Sequence, residues 1–134
     1  MSKDLNINAA ICQINPTLGD FENNFKKILD FYHKSLNQNA DLVIFPEMST
    51  TGYPPQDLLF SEKFIQKNLK VLNEFSKKVT KPCILGFVNK DKDKLYNAAA
   101  VCENGEIVKI YHKIHLPNYD VFDERRYFSS GDEI

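Results

Sequence analysis

Apolar residues recur along this chain in two rhythms. From Ile7 to Ile14 they occupy both sides of an extended segment, Ile7, Ala9 and Ile11 on one and Ala10, Cys12 and Ile14 on the other, which predicts a strand buried between two layers. After the turn-forming Asn15, Pro16 and Gly19 the spacing changes to three and four. Phe21, Phe25, Ile28, Leu29, Tyr32 and Leu36 then line one side of an amphipathic helix, with Asp20 as its N-cap. Leu42 to Phe45 is a continuous apolar run closed by Pro46 and reads as a second buried strand. Helical spacing returns from Asp57, with Ile65, Leu69, Leu72, Phe75 and Val79 facing inward until Lys81-Pro82 stops it. Cys83 to Val88 is a third buried strand. The alternating charges of Lys90 to Lys94 fit a solvated hairpin tip. Leu95 to Glu103 and Glu106 to Lys113 flank Asn104-Gly105, a dipeptide suited to the two-residue turn of a β-hairpin.

The order strand, helix, strand, helix and then three strands implies parallel strands joined by crossover helices, with antiparallel neighbours at the end. The fold class is α/β, or layered α+β, with a mixed sheet. A chain of 134 residues has room for one domain. Beyond Lys113 the sequence is mostly irregular and offers no further covering element, so residues 1–134 are expected to be the N-terminal part of a larger domain. A sheet edge and one apolar layer would then stay uncovered, favouring self-association.

Composition narrows the chemistry. The chain is 43% hydrophobic and 26% charged, with five Gly and six Pro, the profile of a packed globular protein. Seventeen Lys plus Arg against eighteen Asp plus Glu give a net charge of −1, without the positive field that gathers nucleic acid or anionic membrane. Met1-Ser-Lys-Asp-Leu-Asn has no apolar leader core, and no window approaches the roughly 18 apolar residues of a membrane span; a soluble, cytoplasmic protein is expected. Cys12, Cys83 and Cys102 are widely spaced within apolar runs and read as reduced core thiols. The glycines are isolated, so no phosphate-cradling loop is present, and no Gly-x-Ser-x-Gly elbow supports a serine hydrolase.

Two ionisable residues stand where a sheet places ligands. Glu47 lies just past the carboxyl end of a buried strand, the usual site of a binding crevice in open α/β sheets; a surface Glu that caps or pairs is the bland alternative. If the last strand continues, Tyr111, Lys113 and His115 share one face. A lysine set among apolar neighbours needs an anionic partner or loses its proton, so a Glu47–Lys113 pair would satisfy both, while an exposed edge lysine is the plain alternative. His112 and His115 lack further ligands at zinc-site spacing, and no metal site is expected.

Phe45-Pro-Glu-Met-Ser-Thr-Thr-Gly-Tyr-Pro-Pro-Gln-Asp-Leu-Leu59 and Tyr111-His-Lys-Ile-His-Leu-Pro-Asn-Tyr-Asp-Val-Phe-Asp-Glu-Arg-Arg-Tyr-Phe128 resemble the nitrilase, or carbon-nitrogen hydrolase, superfamily. The second motif resembles more narrowly the N-terminal glutaminase domains of glutamine-dependent NAD+ synthetases. The resemblance implies part of an α-β-β-α sandwich and cleavage of a carbon–nitrogen bond by a Glu, a Lys and a Cys. Glu47 matches the general base, Lys113 the lysine and Glu124 a second glutamate beside the site. Tyr53 and Tyr119 fall where such domains hold glutamine. It also implies that ammonia from glutamine feeds the ATP-dependent amidation of deamido-NAD+, with ATP and Mg2+ used by a synthetase domain absent from this sequence, in a homo-oligomer. The nucleophilic Cys is expected downstream of Lys113, beyond the residues given, so the chain alone is expected to be inactive. Another amidase of the superfamily, or a non-catalytic association module, are the competing readings.

Overall fold

The computed structural model describes residues 4–134. The reading of the N-terminus as leaderless bears partly on residues 1–3, which lie outside the described residues. One five-stranded sheet runs in the order β1-β2-β3-β4-β5, formed by Ala9–Ile11, Leu42–Ile44, Cys83–Asp91, Lys94–Glu103 and Glu106–His112. β1 and β2 are parallel, as are β2 and β3; β3, β4 and β5 pair antiparallel. The helices α1 (Phe21–Asn37) and α2 (Glu62–Ser76) make the crossovers, because parallel neighbours cannot be joined by a tight turn. The mixed α/β architecture expected from the sequence is therefore present.

Both helices lie on the same face of the sheet. Ile28 and Tyr32 of α1 and Val71, Leu72 and Phe75 of α2 meet Val43, Cys83, Leu85, Phe87, Ala98, Ala100 and Cys102 in one buried core. These strand residues alternate in sequence, as the period of two requires for a single face. Tyr32 anchors the layer: its ring packs edge-on to Phe75, and its hydroxyl accepts hydrogen bonds from the N–H groups of Thr80 and Lys81. The hairpin turns follow their residues. Asn104 and Gly105 both adopt positive φ, as the two-residue turn between β4 and β5 demands.

Two expectations need correction. β1 is not buried between two layers: Ile7 is 61% and Ile11 71% exposed, because the helices cover only the side bearing Ala10 and Cys12. Periodicity showed two apolar faces but not which one this chain covers. The second helix also starts later than Asp57 and ends at Ser76, ahead of Lys81-Pro82, so the buried Val79 lies past its end. Gln56–Phe60 form a 3-10 turn, and α2 begins at Glu62, where the Ser61 hydroxyl accepts the Phe64 N–H. Leu59 is thereby turned into a second cluster with Met48, Phe64, Ile65, Val88, Leu116 and Phe128. That cluster joins the turn after β2 to the C-terminal segment, the two stretches that carry the candidate site. Among the described residues, no helix is long and apolar enough to cross a membrane.

Candidate functional site

The site forms where the chain leaves β2. At Gly86 in β3 the backbone of Pro46, Glu47 and Met48 crosses directly over the strand. A Cβ at position 86 would lie 2.2 Å from the Pro46 carbonyl oxygen and 2.6 Å from the Glu47 Cα, so only glycine permits this approach. The Ser49 N–H donates to the Gly86 carbonyl at 3.0 Å and holds the crossing in place. Two buried asparagines secure the segment around Thr50. Asn24 bonds the Thr17 and Thr50 carbonyls, while Asn68 accepts from Thr50 Oγ1 at 2.7 Å and pairs with both the N–H and the carbonyl of Val88. Glu47 thus projects from a rigid turn.

Lys113 arrives on the same face from the far edge of the sheet, one residue past β5, with its N–H donating to the Asn97 carbonyl at 2.8 Å. Its Nζ lies 3.0 Å from Glu47 Oε1 and 3.4 Å from both carboxylate oxygens of Glu124. Glu124 opens a short 3-10 turn, Glu124–Arg126, and is only 5% exposed. Its carbonyl accepts the Phe128 N–H, and the Tyr127 hydroxyl donates to Asp57 Oδ1 at 2.7 Å, tying this turn to the loop before α2. Tyr53 donates its hydroxyl to Glu124 Oε1 at 3.4 Å. Asn97, 2% exposed, donates from Nδ2 to Oε2 of Glu47 at 3.3 Å and of Glu124 at 3.4 Å.

The electrostatics follow from two carboxylates around one ammonium. Burial, the largest single influence on Lys113, favours loss of its proton, but the hydrogen bond and charge of Glu47 with the charge of Glu124 outweigh it. The lysine pKa therefore stands above its ordinary value. Tyr53 is pushed up to about 12, first by burial and then by the negative charges of Glu124 and Glu47. Such a centre offers a fixed cation to a developing anion and, in the more exposed Glu47, a carboxylate able to move a proton.

Of the residues singled out from sequence, Glu47, Lys113, Glu124 and Tyr53 meet here. Tyr119 sits at the rim: it is 65% exposed, packs edge-on to Phe122, and lines the same open depression of about 420 Å³ as Glu47, Tyr53 and Lys113. His115 does not continue the strand alternation with Lys113, since β5 ends at His112. His112 stacks on Tyr96 at 3.9 Å and bonds Asn89 through Nε2 at 2.9 Å. Among the described residues no group of three or more His, Cys, Asp or Glu is placed to hold a metal. Cys12, Cys83 and Cys102 are all buried in the core beneath the helices. Asn97 precedes Ala98, a residue of that core, and so faces the opposite side, where the carboxylates lie.

Sequence reasoning missed Asn97 and Gly86, though each left a signal. Gly86 interrupts the apolar run Cys83 to Val88, the mark of a backbone crossing. Asn97 is a lone amide beside Ala98, Ala99 and Ala100 in a strand, where a polar residue needs a partner.

Residues 8–134 match the family described as Carbon-nitrogen hydrolase. The glutamine-dependent NAD(+) synthetase of Thermotoga maritima is 44% identical over 131 residues, 96% of this chain and 23% of that protein. The structure of glutamine-dependent NAD+ synthetase from Acinetobacter baumannii in complex with ADP superposes with a TM-score of 0.88 at 37% identity, over 93% of this chain and 24% of that one. An amidase from Nesterenkonia sp. superposes with a TM-score of 0.82 at 18% identity, over 95% of this chain and 49% of that one, a likeness of fold alone. The chain spans about a quarter of the length of the synthetases it matches. With the match running from β1 through the segment that carries Glu124, the chain belongs to the carbon-nitrogen hydrolase family.

Proposed function

We propose that this chain carries the acid, base and cation of a centre that hydrolyses the side-chain amide of glutamine. In the intact protein the ammonia released would serve the ATP-dependent amidation of deamido-NAD+. The observation that carries this reading is the Lys113 ammonium held between Glu47 and Glu124, in a chain 44% identical to a glutamine-dependent NAD(+) synthetase.

In this reading a thiol attacks the amide carbonyl of glutamine while Glu47 takes its proton. Lys113 donates to the oxygen that becomes anionic in the tetrahedral intermediate. Glu47 then passes the proton to the departing nitrogen, ammonia leaves, and a thioester remains. Water, deprotonated by Glu47, attacks the thioester and releases glutamate, and the thiol regains its proton. Glu124 holds the lysine from its buried side, and Tyr53 and Tyr119 border the space in which glutamine would lie. The thiol belongs to residues outside these 134, because the three cysteines here are sealed under the helices, on the opposite face from Lys113. Burial raises the pKa of Cys102 to about 11 and that of Cys83 further, the reverse of what a nucleophilic thiolate requires. ATP and Mg2+ would serve a synthetase portion elsewhere in the protein, since the isolated glycines of this chain form no phosphate-binding loop.

The test uses the intact protein. Glu47→Gln is expected to abolish ammonia release from glutamine while synthesis from free ammonia continues. Loss of both activities to the same degree would refute the assignment and make Glu47 a structural residue.

A further inference from the structure

We infer that Asn97 is a positioning residue for this reaction, one that fixes the two carboxylates relative to each other and to Lys113; the inference rests on the reading of Glu47 as the base. Three observations converge on it. The side chain is 2% exposed, and its Nδ2 reaches Oε2 of both Glu47 and Glu124. Those two acids come from distant parts of the chain, the turn after β2 and the 3-10 turn before Phe128, and Asn97 on β4 touches both. Its backbone carbonyl accepts the Lys113 N–H, so the same residue also sets where the lysine leaves the sheet.

The chemistry explains why an amide suits this position. Glu47, Glu124 and Lys113 together carry one excess negative charge, and Tyr53 adds only a neutral hydroxyl. A further cation would compete with Lys113 for the carboxylates, and a further anion would repel them. An asparagine amide supplies two N–H bonds diverging from one nitrogen and no net charge, so each carboxylate gains a donor while the lysine keeps its role. The amide orientation is fixed by its surroundings, because two carboxylate oxygens accept and cannot donate to Oδ1. Glu47 is the more exposed of the two acids, its side chain 54% exposed against 6% for Glu124. Without the Asn97 donor, one of its oxygens would be free to turn toward solvent.

The experiment measures glutamine-dependent ammonia release by the intact protein across about pH 5 to 9, for the parent, Glu47→Gln, Asn97→Asp and Asn97→Ser. Asn97→Asp keeps the shape and replaces the donor with a third carboxylate. It is expected to lower kcat on the order of 10²-fold, with KM changed far less. The acid limb of the kcat profile should move to higher pH, as a third carboxylate beside two others disfavours the ionised form of the cluster. Asn97→Ser, neutral and smaller, should show the same direction with a smaller loss, and it carries the test if the Asp variant does not fold. Parental kcat with an unmoved acid limb in a folded Asn97 variant, alongside a Glu47→Gln variant that releases no ammonia, would overturn the positioning role and leave the proposed reaction standing. A fall in kcat with the acid limb unmoved would overturn it as well, since a purely structural residue gives that result. Ammonia release by Glu47→Gln at the parental rate would overturn both.

Discussion

Replacing Gly86 with Ala tests how the site is built. The added methyl would meet the Pro46 carbonyl oxygen at 2.2 Å, the Glu47 Cα at 2.6 Å and the Met48 nitrogen at 2.8 Å, where ordinary contact begins at 3.4 Å. All three are backbone atoms, so no flexible side chain can absorb the clash, and the crossing segment must retreat by about 1 Å. Glu47 Oε1 lies 3.0 Å from Lys113 Nζ, and a shift of that size takes the pair beyond hydrogen-bonding distance. Overpacking of this kind costs about 1–3 kcal/mol, whereas displacement of a catalytic group by about 1 Å costs on the order of 10²-fold in rate. The variant should therefore remain folded, with a lowered denaturant midpoint, while ammonia release from glutamine by the intact protein falls far more than the unfolded fraction explains. Urea titration followed by circular dichroism, beside a glutaminase assay on the same preparation, separates the two effects. A Gly86→Ala protein with parental midpoint and parental rate would refute the claim that this close crossing places Glu47.

Three further outcomes are expected. Lys113 and Tyr53 both have folded-state pKa values raised above their unfolded values, so their contribution to stability is complete below about pH 10 and is lost as pH climbs through the folded values; Tyr53→Phe should flatten part of that alkaline fall in pH-dependent denaturation, and an unchanged profile would contradict the burial of the Tyr53 hydroxyl beside the two carboxylates. Asn68→Leu removes the partners of Val88 and Thr50 in a fully buried position and should destabilise the protein by about 2–4 kcal/mol in urea titration, with parental stability refuting its role as the clip beneath the turn. Cys12, Cys83 and Cys102 should resist iodoacetamide at neutral pH in the native protein and react on denaturation, as read by mass spectrometry of their peptides; rapid native labelling of Cys83 or Cys102 would contradict their burial under the helices.

The local patterns fixed the elements because each reports a nearest-neighbour constraint. The spacing of Phe21, Phe25, Ile28 and Tyr32 can satisfy only a helix, Asp20 caps it as its side chain allows, and Asn104-Gly105 admits the positive φ values that close the last hairpin. Glu47 and Lys113 were legible as candidates for a similar reason: each charge sits where an apolar strand ends, and a charge there needs a partner. Tertiary structure alone decided which partner. The two residues are 66 positions apart and meet only because the 46–48 segment crosses Gly86 while β5 delivers Lys113 beside Asn97. It also decided that one nitrogen of Asn97 would bind two acids, that α2 would wait for Ser61, and that β1 would leave Ile11 open to solvent. Periodicity records the alternation of faces along a single element, whereas coverage and the convergence of charges depend on where distant elements come to rest.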